Sequence, residues 1–251
     1  MSVRKVRDAA VIMVAFLALL WILQVFNWAD GYRLDTDFGI LPHHVSRLPD
    51  IFTAPFLHIS WQHIEGNSLP LFVLGFLAAY RGIARFLLVT FIAVVVSGLA
   101  VWLFQSNGLT VGASGIIFGY FGYVLLRGIF DRNLVDVVVG VVAGLLYWGI
   151  LEVAIPGTPG VSWIGHVGGL AGGIVAAWVL RTPHSDRLTW RSQLAVPFRN
   201  SSSRASGDTD SVPATRVSAD TTRRDTAPAA SSAGGSKAAA DLLRKLKEMG
   251  L

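Results

Sequence analysis

The chain has 251 residues, of which 53% are hydrophobic and 15% charged, with a mean hydropathy of +0.54, no cysteine and a formal net charge of +5. That balance excludes an ordinary soluble domain, and the absence of thiols excludes disulfide scaffolds, thiolate metal centres and cysteine nucleophiles. The positive excess belongs to one end: residues 1–180 hold nine basic and nine acidic residues, whereas residues 181–251 hold twelve and seven.

Apolar runs close to the ~20 residues needed to cross a hydrocarbon core fall at about 9–26, 64–80, 86–104, 114–130, 134–155 and 163–180. In lipid, unpaired backbone is costly, so each run is expected to be a helix and the chain an all-α membrane protein. The first run follows Arg4, Lys5 and Arg7. It exceeds the apolar core of a signal peptide, and Phe26-Asn27-Trp28-Ala29-Asp30 offers no small-x-small cleavage site, so it reads as a retained span. Arg81 and Arg85 occupy the second connection, Arg127 and Arg132 the fourth, and further basic residues follow Arg181. The third and fifth connections, 105–112 and 156–162, carry no Lys or Arg, and only Arg33 and Arg47 in the first weaken the alternation. The positive-inside rule therefore predicts cytoplasmic termini and outward-facing odd connections.

Polar residues inside such spans are costly and usually functional. In chain order they begin with His58, His63, Glu65 and Asn67, leading into the second span from the outer side. Gly112-Ala113-Ser114-Gly115 then opens the fourth span, with Phe118 one turn deeper, and His166 follows Gly165 about one turn into the sixth. The topology places His63, Asn67, Ser114 and His166 at one depth near the outer surface. A serine within reach of a histidine is the minimal nucleophile and general base, and Asn67 is a neutral donor of the kind a developing oxyanion requires. Gly115 and Gly119 on the fourth span, and Gly165, Gly169, Gly173 and Ala177 on the sixth, form small-xxx-small faces that let helices approach closely. Each residue also has a structural role open to it: Ser114 as a helix N-cap, His166 and Asn67 as interhelical hydrogen bonders, Phe118 as ordinary packing. His58 reads as a residue that positions loop backbone. Glu65 and Glu152 lie near outer helix ends, where they reach water. No His-Glu-x-x-His helix is present, so no metal site is expected.

Taken together, His58-x4-His63-x3-Asn67, Gly112-Ala113-Ser114-Gly115 and His166-x2-Gly169-x3-Gly173, in this order, closely resemble the motifs of the rhomboid intramembrane serine proteases. The resemblance covers about residues 9–180 and implies a six-transmembrane-helix rhomboid-like bundle. It further implies a Ser114–His166 catalytic dyad without an acidic third member, and an oxyanion site from the Ser114 backbone N–H, His63 and Asn67. Gly112, Gly115, Phe118 and Gly169 are its supporting residues, and no cofactor is implied. Transmembrane protein substrates and membrane lipids are the expected partners, with no nucleic acid, and a bacterial plasma membrane is the expected location. Many rhomboids carry Trp-Arg in the first outward loop shortly before the threonine that is Thr53 here; this chain has Pro49-Asp50 instead.

Two further classes compete with a protease. A rhomboid-like protein without catalysis that binds or escorts membrane helices typically lacks the serine or the histidine, and both are present. A transporter is expected to show paired discontinuous helices and internal repeats, and no clear repeat is visible. The membrane domain is expected to span residues 1–181. Residues 182–251 read as a mostly disordered cytoplasmic tail, ending in a short possible amphipathic helix at 237–249, where Leu242, Leu243 and Leu246 lie beside Arg244, Lys245 and Lys247. Such a segment suits either an anionic membrane surface or a solvated terminal helix.

Overall fold

The structure is a computed structural model that describes residues 3–157 and 161–182. It is mostly helical: α1 (Val3–Ala29), α2 (Arg33–Phe38), α3 (Trp61–Ala79), α4 (Ile83–Phe104), α5 (Ser114–Phe130), α6 (Leu134–Leu146) and α7 (Trp163–Val179). Extended pairing among the described residues is confined to a single antiparallel bridge, Ile40 with Thr110. Of these helices, α1 and α4 are long and apolar enough to cross a membrane by length and composition, while α5, α6 and α7 are shorter apolar helices. Of the tail expected over residues 182–251, all beyond Thr182, including the terminal helix, lies outside the described residues.

All six apolar runs of the sequence fall on helices, and two segments differ from the simplest expectation. Residues 134–155 do not form one continuous α-helix. The α-helix stops at Leu146, Tyr147 leaves helical geometry at φ −109° and ψ 20°, and a 3₁₀ helix carries the chain through Trp148–Ala154. Gly144, Gly149 and two adjacent aromatics are weak helix formers, and α6 packs mainly on α5, so little tertiary contact overrides that weakness. The first connection, residues 27–62, is folded rather than open. It contains α2 and two 3₁₀ helices, Val45–Phe52 and Ala54–Phe56.

At the centre stands α5, packed against α3, α4, α6 and α7. Ile116, Ile117, Phe118, Tyr120, Phe121, Tyr123 and Val124 are all buried, so this helix is apolar on every side, as a helix enclosed by others must be. Packed between α4 and α5, α7 uses glycine on both faces. A Cβ on Gly169 would overlap the Gly115 carbonyl, and one on Gly173 would overlap the Gly119 carbonyl and lie 2.9 Å from the Tyr123 nitrogen. Toward α4, a Cβ on Gly168 would sit 2.6 Å from Ala100 Cβ, and one on Gly172 3.2 Å from Ala93 Cα. The Gly165–Gly169–Gly173 seam was legible in the sequence; the second seam, through Gly168 and Gly172, shows its use only against α4.

Charge gathers at the end of α5 away from Ser114. Arg127 lies thirteen residues on, which is about 20 Å at 1.5 Å per residue. Its Nη2 meets Asp136 Oδ1 at 2.6 Å, and Arg81, from the turn between α3 and α4, reaches the same oxygen. Arg127 and Asp136 are both buried, so removing either partner strands a charge. Asp131 accepts a 2.8 Å hydrogen bond from the Thr182 nitrogen, fastening the chain just after α7.

The glycine seam predicts opposite signs for two Gly→Ala substitutions. Gly66 on α3 has open space where a Cβ would stand, so Gly66→Ala should leave stability unchanged or raise it by up to about 1 kcal/mol through helix propensity. Gly173→Ala should lower it by about 1–3 kcal/mol, because α5 and α7 must separate to admit the methyl. Unfolding of each variant in mixed detergent micelles measures both; equal shifts would show that α7 does not pack on α5 in this way.

Candidate active site

Ser114 owes its placement to the four residues before it. Thr110 exchanges backbone hydrogen bonds with Ile40 (3.0 and 3.1 Å), the Gly112 nitrogen donates to the Ala54 carbonyl (2.9 Å), and the Ala113 nitrogen donates to His58 Nε2 (3.4 Å). Strand-like, turn and side-chain acceptors from the first connection thus take up the backbone of 110–113 in succession. Gly112 adopts φ +123°, and a Cβ there would stand 2.6 Å from the His63 ring, so the position requires glycine on both counts. α5 then begins at Ser114 with Ala113 as its N-cap, which leaves the Ser114 hydroxyl outside the capping role that the sequence had also allowed.

That hydroxyl meets the imidazole of His166. Ser114 Oγ and His166 Nε2 are 2.9 Å apart, across the α5–α7 seam. His166 is buried, and its ring stacks on Phe118 at a centroid distance of 4.4 Å and an interplanar angle of 13°. The stacked face limits rotation of the imidazole and keeps its edge toward Ser114. Gly115 and Gly169 admit the close approach: their backbones face each other where side chains would push the helices apart.

His63 and Asn67 lie one turn apart on α3, which Ser60 caps by accepting from the His63 nitrogen at 3.2 Å. His63 packs over Gly112, with its ring 5.0 Å from that of His58. Asn67 Nδ2 is buried without a hydrogen-bond partner among the described residues, an arrangement that costs free energy unless something arrives to accept from it. His58 is fully buried, and besides receiving the Ala113 N–H it presents its own carbonyl to Asn27 Nδ2 at 3.4 Å, which also bonds Asp35 at 2.8 Å. It therefore joins α1, α2 and the residues before α5. Glu65 and Glu152 are exposed.

Three polar residues that sequence reasoning passed over also belong to the surroundings. Ser97 of α4 donates to the Gly165 carbonyl at 2.9 Å; Ser162 caps α7 by accepting from the Gly165 nitrogen at 3.3 Å; Gln105 accepts from Ser162 at 2.6 Å. A serine just ahead of an apolar run is a readable N-cap signal, and Ser162 carried it. Gln105 carried none, since its partner at the start of α7, Ser162, lies far away in sequence. A small cleft of about 30 Å³, lined by Ile51, Val94, Ser97, Val101 and Ser162 among others, includes Ser114 in its wall.

Comparison with known proteins bears on this geometry. The Rhomboid domain family model matches residues 44–183, more than half of the chain. The chain belongs to the rhomboid family. An uncharacterized protein of Mycobacterium tuberculosis is 39% identical over 180 residues, covering 68% of this chain and 75% of the relative. The rhomboid protease GluP of Bacillus subtilis is 33% identical over 153 residues, covering 58% of this chain and 29% of the relative. RHOMBOID-like protein 1 of Arabidopsis thaliana is 29% identical over 147 residues, covering 58% of this chain and 37% of the relative. The rhomboid match begins after α1 and α2 and takes in every residue from His58 to His166 named above.

His58 makes the rhomboid site sensitive to acid in a defined direction. Burial pushes its imidazole from the usual 6.5 down to about 3, with the neighbouring His63 adding to the shift. Because the native value is the lower one, the unfolded chain takes up the proton first. The contribution of His58 to stability is thus fully present above pH 6.5 and is lost as pH falls from there toward 3, at roughly 1.4 kcal/mol per pH unit. Replacing it by a group that does not titrate, His58→Gln, should flatten the pH dependence of unfolding across that window relative to the parent chain; parallel curves would mean that His58 is protonated in the folded protein.

Proposed function

We propose that this rhomboid is an intramembrane serine endopeptidase that hydrolyses peptide bonds in or near transmembrane segments of other membrane proteins. The observation that carries the reading is the 2.9 Å contact between Ser114 Oγ and His166 Nε2, made between the ends of two packed helices. In this reading α1, α3, α4, α5, α6 and α7 are six membrane spans within residues 1–181, and both termini are cytoplasmic. Ser114 and His166 then lie toward the outer side of a bacterial plasma membrane. The distribution of Lys and Arg supports that orientation, and mycobacterial and Bacillus relatives support the location.

The substrate is a membrane helix that enters from the lipid and unwinds locally, because its scissile carbonyl is otherwise held in intrahelical hydrogen bonds. Small or helix-breaking residues near the cut favour that step. His166 Nε2 takes the Ser114 proton as Oγ attacks the carbonyl carbon, and the carbonyl oxygen becomes an oxyanion. The Ser114 N–H stands in the first turn of α5, where no intrahelical acceptor exists and the helix dipole favours negative charge. Asn67 Nδ2, without a partner among the described residues, and the His63 ring over Gly112 supply further donors. His166 returns its proton to the leaving amine, giving an acyl-enzyme on Ser114. A water molecule from the outer side, activated by the same imidazole, then hydrolyses the ester and restores both residues. No cofactor enters the reaction.

Incubation of the purified protein in detergent with single-span model substrates, followed by sequencing of the fragments, tests this directly. Ser114→Ala and His166→Ala should abolish cleavage while the protein still folds, and a serine-reactive phosphonate should label the parent chain and not Ser114→Ala. Asn67→Ala should slow cleavage by about 10²–10³-fold, less if His63 and the Ser114 N–H compensate. Cleavage by Ser114→Ala at the parent rate would end the hydrolase reading in favour of a protein that binds or escorts membrane helices.

The proposed orientation has a separate test. A reporter fused after Arg181 should be active only when it is a type that works in the cytoplasm. Activity confined to an extracytoplasmic reporter would invert the topology and place Ser114 on the inner side.

A further inference from the structure

Gln105 ends α4 and makes more side-chain hydrogen bonds than its half-buried position would suggest. The two protons of its Nε2 are shared among the Asn107 carbonyl (3.0 Å), the Gly108 carbonyl (3.3 Å) and Thr110 Oγ1 (2.9 Å). Its Oε1 accepts from Ser162 Oγ (2.6 Å) and lies 3.2 Å from Thr110 Oγ1. Ser162 passes the connection on in two ways: its Oγ accepts from the Gly165 nitrogen, and its carbonyl accepts from the His166 nitrogen at 3.2 Å. Thr110 stands four residues before Ser114, and Ser162 stands four residues before His166. One amide group therefore holds both the approach to the serine and the first turn of the helix that carries the histidine.

The chemistry of the head group explains why a glutamine suits this place. A primary amide presents donors and an acceptor on one rigid plane, so it can give hydrogen bonds to the turn at 107–110 and take one from Ser162 at once. Ser162 spends its single proton on Gln105 and keeps a lone pair for Gly165. A carboxylate retains the acceptor for Ser162 and loses the donors to the turn. A methionine of similar length retains neither.

We propose that Gln105 is a positioning residue, a strut between Thr110 and Ser162 that sets the Ser114–His166 separation. Its role in catalysis rests on the protease reading above; its role in geometry does not. Ser97, which holds the Gly165 carbonyl from α4, limits sliding of α7 but makes no link to the turn at 107–110. Without the strut, no side chain joins the segment before Ser114 directly to the cap of α7, and their spacing rests on the glycine seam and Ser97. Displacement of about 1 Å between reacting groups is enough to slow chemistry by about a hundredfold.

The test uses the full chain in detergent with ¹⁵N-labelled histidine. The His166 Nε2 resonance is assigned by its loss in His166→Gln, and Ser114→Ala supplies its position without the serine contact. Gln105→Met should move the resonance most of the way toward the Ser114→Ala position. Ser162→Ala, which removes one bond of the strut and little packing, should move it in the same direction and carries the comparison if Gln105→Met does not fold. Gln105→Glu, keeping the acceptor for Ser162, should remain nearer the parent. In cleavage assays Gln105→Met should lower kcat by about tenfold to a hundredfold with KM changed less than about twofold, since no substrate contact is removed. A folded Gln105→Met or Ser162→Ala whose His166 resonance stays at the parent position overturns the strut. If the parent chain neither cleaves nor reacts with a phosphonate while the resonance moves as expected, the protease reading fails and the strut stands.

Discussion

Close backbone approach between α5 and α7 is the constraint on which the site depends. Gly169 faces the carbonyl of Gly115, and Gly173 faces that of Gly119. Helices that meet through backbone rather than through side chains come nearer than the usual 8–10 Å axial separation of packed helices, and in lipid this dispersion contact replaces the hydrophobic drive that is absent between apolar surfaces. Only at that spacing do short side chains such as serine reach across to a neighbour. Ser114 and His166 exploit it at one end of the seam.

The opposite end of α5 is secured by different physics. Arg127, Arg81 and Asp136 share a mostly buried ion-pair cluster that joins the turn after α3, the end of α5 and the start of α6. Ion pairs of this kind contribute little net free energy but penalise any arrangement that separates them. Their effect is to specify how the helix ends meet, while the glycine seam specifies how far apart α5 and α7 run. Between these two fixed features α5 is encased in aromatic and aliphatic side chains, so neither its rotation nor its depth is free.

The first connection contributes the remaining order. Residues 110–113 have no regular structure of their own and receive it from Ile40, Ala54 and His58. Arg47 stiffens that scaffold: it pairs with Asp50 and donates to the carbonyls of Thr36 (2.9 Å) and Gly39 (3.0 Å). Asp50 is one of the two residues at which this sequence departs from the Trp-Arg pattern of many rhomboids. Here the loop is held by a basic residue placed three positions earlier, with the acidic residue as its partner.

By itself the sequence determined which segments are helical, which helix faces are small, and which polar residues sit in costly places. Those properties follow from hydropathy, glycine spacing and the rarity of Ser, His and Asn inside apolar runs, all of which are local. Ser114, His166, His63 and Asn67 were legible for that reason, as was the family. Tertiary structure alone decided that α7 carries a second glycine face toward α4, and that Gln105 and Ser97 reach across to α7 and its cap. Each of these depends on a partner dozens of residues away. A glutamine at the end of an apolar helix looks like any solvated terminal residue until Ser162 and Thr110 are brought to its two sides.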